Sequence, residues 1–219
     1  MPSPSLEIAG SSIVLVGSFN PAIFQPQWFA KQELLPQAEA DNANVEIIHP
    51  QVCQFDTERF MLQVTPDRLT AITKPNAVDA PLRDLISGTF YTLEHTPIQA
   101  IGLNRQMHFQ MHSEEAWHRV GDKLVPKDVW NEAYKGRPGM RNLNVLYPAS
   151  SPDEPAVTVI VQPSVQITPH GVYFEVNFHF TQKAGESAET LMGILNAKWE
   201  ETQKHAERIV GHILDWTAA

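Results

Sequence analysis

Alternation is cleanest over residues 172–180, where Val172, Phe174, Val176, Phe178 and Phe180 fall on one side and Tyr173, Glu175, Asn177 and His179 on the other. A period of two predicts a half-buried strand. Ile13-Val14-Leu15-Val16 predicts a short apolar strand, preceded by a loose start over residues 1–9 and closed by Gly17 and Asn20-Pro21. Strand signals follow at 45–48, 52–55, 59–64 and 69–73, divided by His49-Pro50, Asp56-Thr57 and Thr65-Pro66-Asp67. Strands this short and this close pair as antiparallel hairpins. Residues 98–111 predict a long strand, and 140–146, 157–162 and 165–168 predict short ones.

Helical spacing marks other stretches. Pro26 opens a short helix over 26–35, with the polar, Ala-rich 36–44 as a surface loop. Leu82, Leu85, Ile86, Phe90 and Leu93 share one face of a helix over 81–94. Ser113 with Glu114 and Glu115 starts a further helix, since the hydroxyl caps and the carboxylates suit the positive end. It is expected to break near Gly121, with another helical piece at 126–134. From Glu186 toward Asp215 a long helix carries Leu191, Ile194, Leu195, Trp199, Ala206 and Val210 on one side.

The order strand, helix, several strands, helix occurs twice. Leu62-Gln63-Val64-Thr65-Pro66 is echoed by Val165-Gln166-Ile167-Thr168-Pro169, and Leu82, Leu85, Ile86, Phe90 by Leu191, Ile194, Leu195, Trp199. The expectation is an α+β fold of antiparallel sheets with helices on one face. It would be duplicated internally as repeats 1–96 and 97–219 packed in one unit, the saddle arrangement of TATA-binding-protein-like folds. The alternative is a helix-grip fold, one curved sheet wrapped on the C-terminal helix with an apolar pocket between them.

Composition narrows the function classes. Sixteen Lys and Arg against 25 Asp and Glu give a net charge of -9, and Lys and Arg are spread thinly. Nucleic-acid contact needs clustered basic residues, and the modest group at Lys127, Lys135, Arg137 and Arg141 is interrupted by acids. No apolar run is long enough to cross a bilayer and no leader-like start is present, so a cytoplasmic protein without membrane contact is expected. The lone Cys53 excludes an internal disulfide.

The densest polar group is His108 to His118. His108 and His112 point to one side of a strand, and Glu114 and His118 share a helix face, which makes His108, His112, His118 and Glu114 a candidate zinc-type ligand set. Such a site would serve a metal-dependent hydrolase or lyase with Glu114 or Glu115 as base. No nucleophile elbow or phosphate loop is present, and no motif calls for an organic cofactor. The aromatics Trp28, Phe29, Trp117, Trp130 and Trp216, on short elements in a chain only 19% charged, are candidate interface residues. The reading that follows is a non-catalytic protein that binds itself or a larger partner, with a small apolar ligand as a further alternative.

Val64-Thr65-Pro66-Asp67-Arg68-Leu69 and Ile101-Gly102-Leu103-Asn104-Arg105-Gln106-Met107 together resemble a sporadically distributed family of uncharacterised bacterial proteins. In that family a strand with an Asp-Arg turn is followed, after a helix, by a Gly-Leu-Arg-Tyr-x-Asn strand. Asn104-Arg105-Gln106 departs from that core. The resemblance implies a bacterial origin and an antiparallel α+β fold. It brings no activity, and a scattered distribution suits an accessory or defence-related role.

Overall fold

The computed structural model describes residues 4–136, 138–182 and 188–219. The chain opens with a 13-residue strand, β1 (Ser5–Gly17), much longer than its apolar segment alone. A 3-10 turn at Pro21–Ile23 and the short helices α1 (Pro26–Lys31) and α2 (Gln37–Asp41) lead to a meander. Its strands are β2 (Asn44–His49), β3 (Val52–Asp56), β4 (Phe60–Val64) and β5 (Arg68–Thr73). Helix α3 (Ala80–Thr92) ends this half, and β6 (Ile98–Gln110) begins the next. Helices α4 (Glu114–Leu124) and α5 (Asp128–Ala133) precede β7 (Leu143–Tyr147), β8 (Ala156–Pro163) and β9 (Gly171–Thr181), and α6 (Ala188–Ala218) closes the chain.

Among the described residues nine strands form one antiparallel sheet in the order β2-β3-β4-β5-β1-β6-β9-β8-β7. The long strands β1 and β6 pair at its centre, so segments 1–96 and 97–219 share a single sheet. Alternation places Ile13, Leu15, Ile101, Leu103, Phe174, Val176 and Phe178 on the helix side, in one core with Leu191, Leu195, Trp199, Ala206 and Val210 of α6. Along its 31 residues, about 46 Å at helical rise, α6 buries a stripe at steps of three and four and packs on α3, α4, β6 and β9. Its other expected residue, Glu186, lies outside the described residues.

The α+β class and the antiparallel pairing are as expected, and the alternating strand is β9 with every even-numbered side chain buried from Val172 to Phe180. Four local expectations differ. Residues 5–9 extend β1 instead of trailing loosely, because Gly10, Ser11 and Ser12 continue the strand: the Ser11 N–H donates to Thr73 Oγ1 at 2.9 Å and its Oγ to Gln203 Oε1 at 2.9 Å. The Ala-rich stretch contains α2 with Ala40 buried, helical propensity prevailing over its polar look. Helix α4 runs through Gly121, where a β-carbon would already touch Met140, so the glycine serves close packing. Residues 165–168 form a turn, because Ser164 Oγ accepts the N–H groups of Gln166 (3.1 Å) and Ile167 (2.9 Å) and curls the chain. The echo of residues 62–66 at 165–169 therefore matches a strand with a turn.

Candidate functional site

His108 lies on the open side of β6, buried against Tyr173 with ring centroids 4.6 Å apart. Its Nδ1 is 2.8 Å from Ser164 Oγ. That oxygen already accepts two backbone N–H groups, so its own proton points at Nδ1 and the imidazole carries its proton on Nε2. Burial pushes His108 below the usual histidine range, which keeps the ring neutral. The two backbone N–H groups that Ser164 Oγ accepts make it a turn former.

His112 is exposed at the start of the β6–α4 connection. His118 and Glu114 do meet across one turn of α4, Nε2 to Oε1 3.5 Å, with the His118 ring beside Trp117. Among the described residues no three His, Cys, Asp or Glu side chains gather where they could hold a metal ion. The sequence cluster is thus divided between a buried ring under the open sheet face and a helical pair at the surface.

The side of the sheet away from the helices carries a trough of about 430 Å³ across five strands, β5, β1, β6, β9 and β8. Register sets its floor: Ile72, Ser12, Asn104, Asn177 and Thr158 stand in one cross-strand row. Asn177 Nδ2 donates to Asn104 Oδ1 at 2.5 Å, and Asn104 Nδ2 to the Ser12 carbonyl at 3.3 Å. Gly102 leaves room for this ladder, since a β-carbon there would press on Asn177 Nδ2 at 2.8 Å. A second depression of about 340 Å³ shares Gln106, Ile160 and Glu175 and adds His108, Tyr173 and Gln162. Tyr173 donates its hydroxyl to Glu175 Oε2 at 2.5 Å; burial first, then the adjacent carboxylate, hold the phenol well above its usual range. These groups hydrogen-bond one another, which suits recognition of a polar surface better than proton transfer.

The aromatic candidates separate by exposure. Phe29 is fully buried and Trp28 half-buried, ring centroids 5.1 Å apart. Trp117 is half-buried and donates Nε1–H to the Gly171 carbonyl at 3.0 Å. Trp130 is 54% exposed on α5, a helix that buries none of its residues, and Trp216 is 50% exposed beneath the Lys123 ammonium at 5.5 Å. Two further surfaces carry no motif and were not foreseen: the outer edges of β2 and β7, with Val45, Ile47 and Ile48 exposed on one and Val145, Leu146 and Tyr147 on the other. Their sequences read as ordinary strands, and only the strand order shows that they are terminal.

A charged network on the helix side also escaped the sequence. Arg105, on the core side of β6, donates to Asp79 Oδ2 and Glu207 Oε1, each at 2.9 Å, and to Ser11 Oγ at 3.2 Å. It ties β1, β6, α6 and the residue before α3 together. Burial raises Asp79 from the usual carboxylate range, with Arg105 opposing. Asp79 Oδ1, Arg105 Nε and Gln203 Nε2 have no protein partner, three polar atoms in one network that water would satisfy. None of the described helices is long and apolar enough to cross a membrane. No protein-family model matches the chain, and no curated protein matches it.

Proposed function

We propose that this protein is a non-catalytic binding and assembly protein, built from two copies of one unit, that works by docking on itself or on a larger protein. The observation that carries the reading is the run of exposed apolar side chains from α5 into β7: Val129, Trp130, Tyr134, Val145, Leu146 and Tyr147. Among the described residues, six of the fourteen exposed large apolar side chains fall within 129–147, and exposed apolar surface of this kind favours an interface. The uncovered sheet face, with its amide ladder, is in keeping with binding.

Two observations support the duplication. Counted outward from the centre, each half places its first strand beside its last meander strand, β1 beside β5 and β6 beside β9. The helix echo relates residues 109 apart, and Asn196 Nδ2 donates to Ser87 Oγ at 2.8 Å, a pair 109 apart. Equivalent residues touch each other where a twofold axis passes between them, and this α3–α6 contact is in keeping with such an axis. In this reading the β1–β6 pair lies on the same axis, as in a saddle of the TATA-binding-protein-like kind. The family resemblance fits as well, since the Asp67-Arg68 turn joins β4 to β5, α3 follows, and Gly102-Leu103 lies on β6.

The test is native mass spectrometry of the protein purified gently from its own host. A mass above the 24.6 kDa chain, explained by a second copy or another chain, is expected. A strict monomer with no partner recovered overturns the proposal.

A further inference from the structure

We infer that β7 is a docking edge for a second copy of this chain, the two β7 strands pairing antiparallel about Val145 to join two sheets into one. The inference rests on the assembly reading and the duplication above, and it names the surface and the partner. Outward from the centre the first half runs β1, β5, β4, β3, β2, and the second β6, β9, β8, β7. By position β7 therefore corresponds to β3, and among the described residues the second half has no strand corresponding to β2. The side chains register the difference. On β3 the helix-side residues Cys53 and Phe55 are buried, whereas on β7 the helix-side Val145 and Tyr147 are 37% and 56% exposed.

The two terminal strands are also guarded differently. β2 carries Glu46 and His49 and a bulge between Val45 and Ile47, features that discourage edge pairing. β7 has no charge, no proline and an unbroken register with β8. A free edge presents unpaired backbone N–H and C=O groups, so its natural occupant is another strand.

Self-complementarity selects the second copy. Pairing about Val145 sets Val145 against itself and Leu143 against Tyr147, all on the helix side, and Asn144 against Leu146 on the other. The flanking Arg141 falls opposite Ala149, so no like charges meet. A twofold axis perpendicular to the sheet produces this arrangement and keeps the helices of both copies on one side. A five-residue pair buries less than a stable interface needs, so the association is concentration-dependent.

The test combines register and mass on the full chain. Under mild oxidation Val145→Cys is expected to form a disulfide-linked dimer, whereas Leu143→Cys and Tyr147→Cys alone do not, because each faces the other residue. Wild type is the control, its only thiol, Cys53, being buried. In sedimentation equilibrium up to about 1 mM, Val145→Lys raises the dimer dissociation constant at least about tenfold with the melting temperature unchanged, and Ile47→Lys on the other edge leaves it as in wild type. Equal crosslinking at all three positions, or a dimer indifferent to Val145→Lys, overturns the inference. A monomer that binds a different protein, and loses it in Val145→Lys, overturns self-pairing but leaves the assembly reading standing. A monomer with no partner sinks both.

Discussion

In the first half of the sheet, Phe55, Phe60, Leu62 and Leu69 pack beneath a chain of edge-to-face and tilted rings, Phe19, Phe24, Phe29 and Phe90, supplied by α1, α3 and the turns around them. Between β6 and β7 the second half supplies α4 and α5. α4 buries only Ala116 and Val120, and α5 buries nothing. The first half fills its core with these rings, although Leu6, Val45, Ile47, Ile48, Val78 and Tyr91 stay exposed at its surface. The second keeps several outside, on α5 and β7. Aromatic rings cap the strands of the first segment, whereas α4 and α5 bury only Ala116 and Val120 beside those of the second.

Substitutions can break this contrast. Phe29→Ala is expected to cost about 3–5 kcal/mol in denaturant unfolding, as is Trp199→Ala where α6 lies on the sheet; a loss under about 1 kcal/mol would mean these rings are not core. Next, Arg105→Ala leaves Asp79 beside a missing partner and should cost about 2–3 kcal/mol, less than a wholly buried pair because Glu207 is half exposed. An unchanged midpoint would show that the network does not couple the halves.

A smaller effect is set by pH. His108 is neutral in the fold with its pKa lowered, so the unfolded chain binds the proton more tightly. Its contribution to stability is full above about 6.5 and is lost as pH falls from there through the lowered value. His108→Gln should flatten that part of the stability profile, and a profile identical to wild type would refute the assignment. Last, Trp130→Ala should change stability by less than about 0.5 kcal/mol. A larger loss would mean that α5 belongs to the core after all.

Much of this architecture was legible because burial imposes a period. The Val172–Phe180 alternation and the Leu82, Leu85, Ile86, Phe90 face each report one side turned toward the core. The sequence understates β1 because Gly10, Ser11 and Ser12 interrupt its apolar run, and the partners of Ser11, Thr73 and Gln203, are far away in the chain. Long-range satisfaction of a polar residue leaves no local trace. The site was less legible for the same reason. Glu114 and His118 met because helical spacing alone decides it, while His108 found Ser164, 56 residues on, in a turn that reads as a strand. The bare edge of β7 is a property of strand order, which no five-residue pattern encodes.

The central pairing of β1 with β6 also bears on how the protein is made. β1 can pair with β5 once residue 73 is available, but its other edge has no neighbour until residues 98–110 have left the ribosome. At about 5–20 residues per second that interval lasts seconds, during which a 13-residue strand presents an open edge in the nascent chain. Gly10, Ser11 and Ser12, which obscured this strand in the sequence, then have a second role: they lower the stickiness of the longest strand while it waits for its partner.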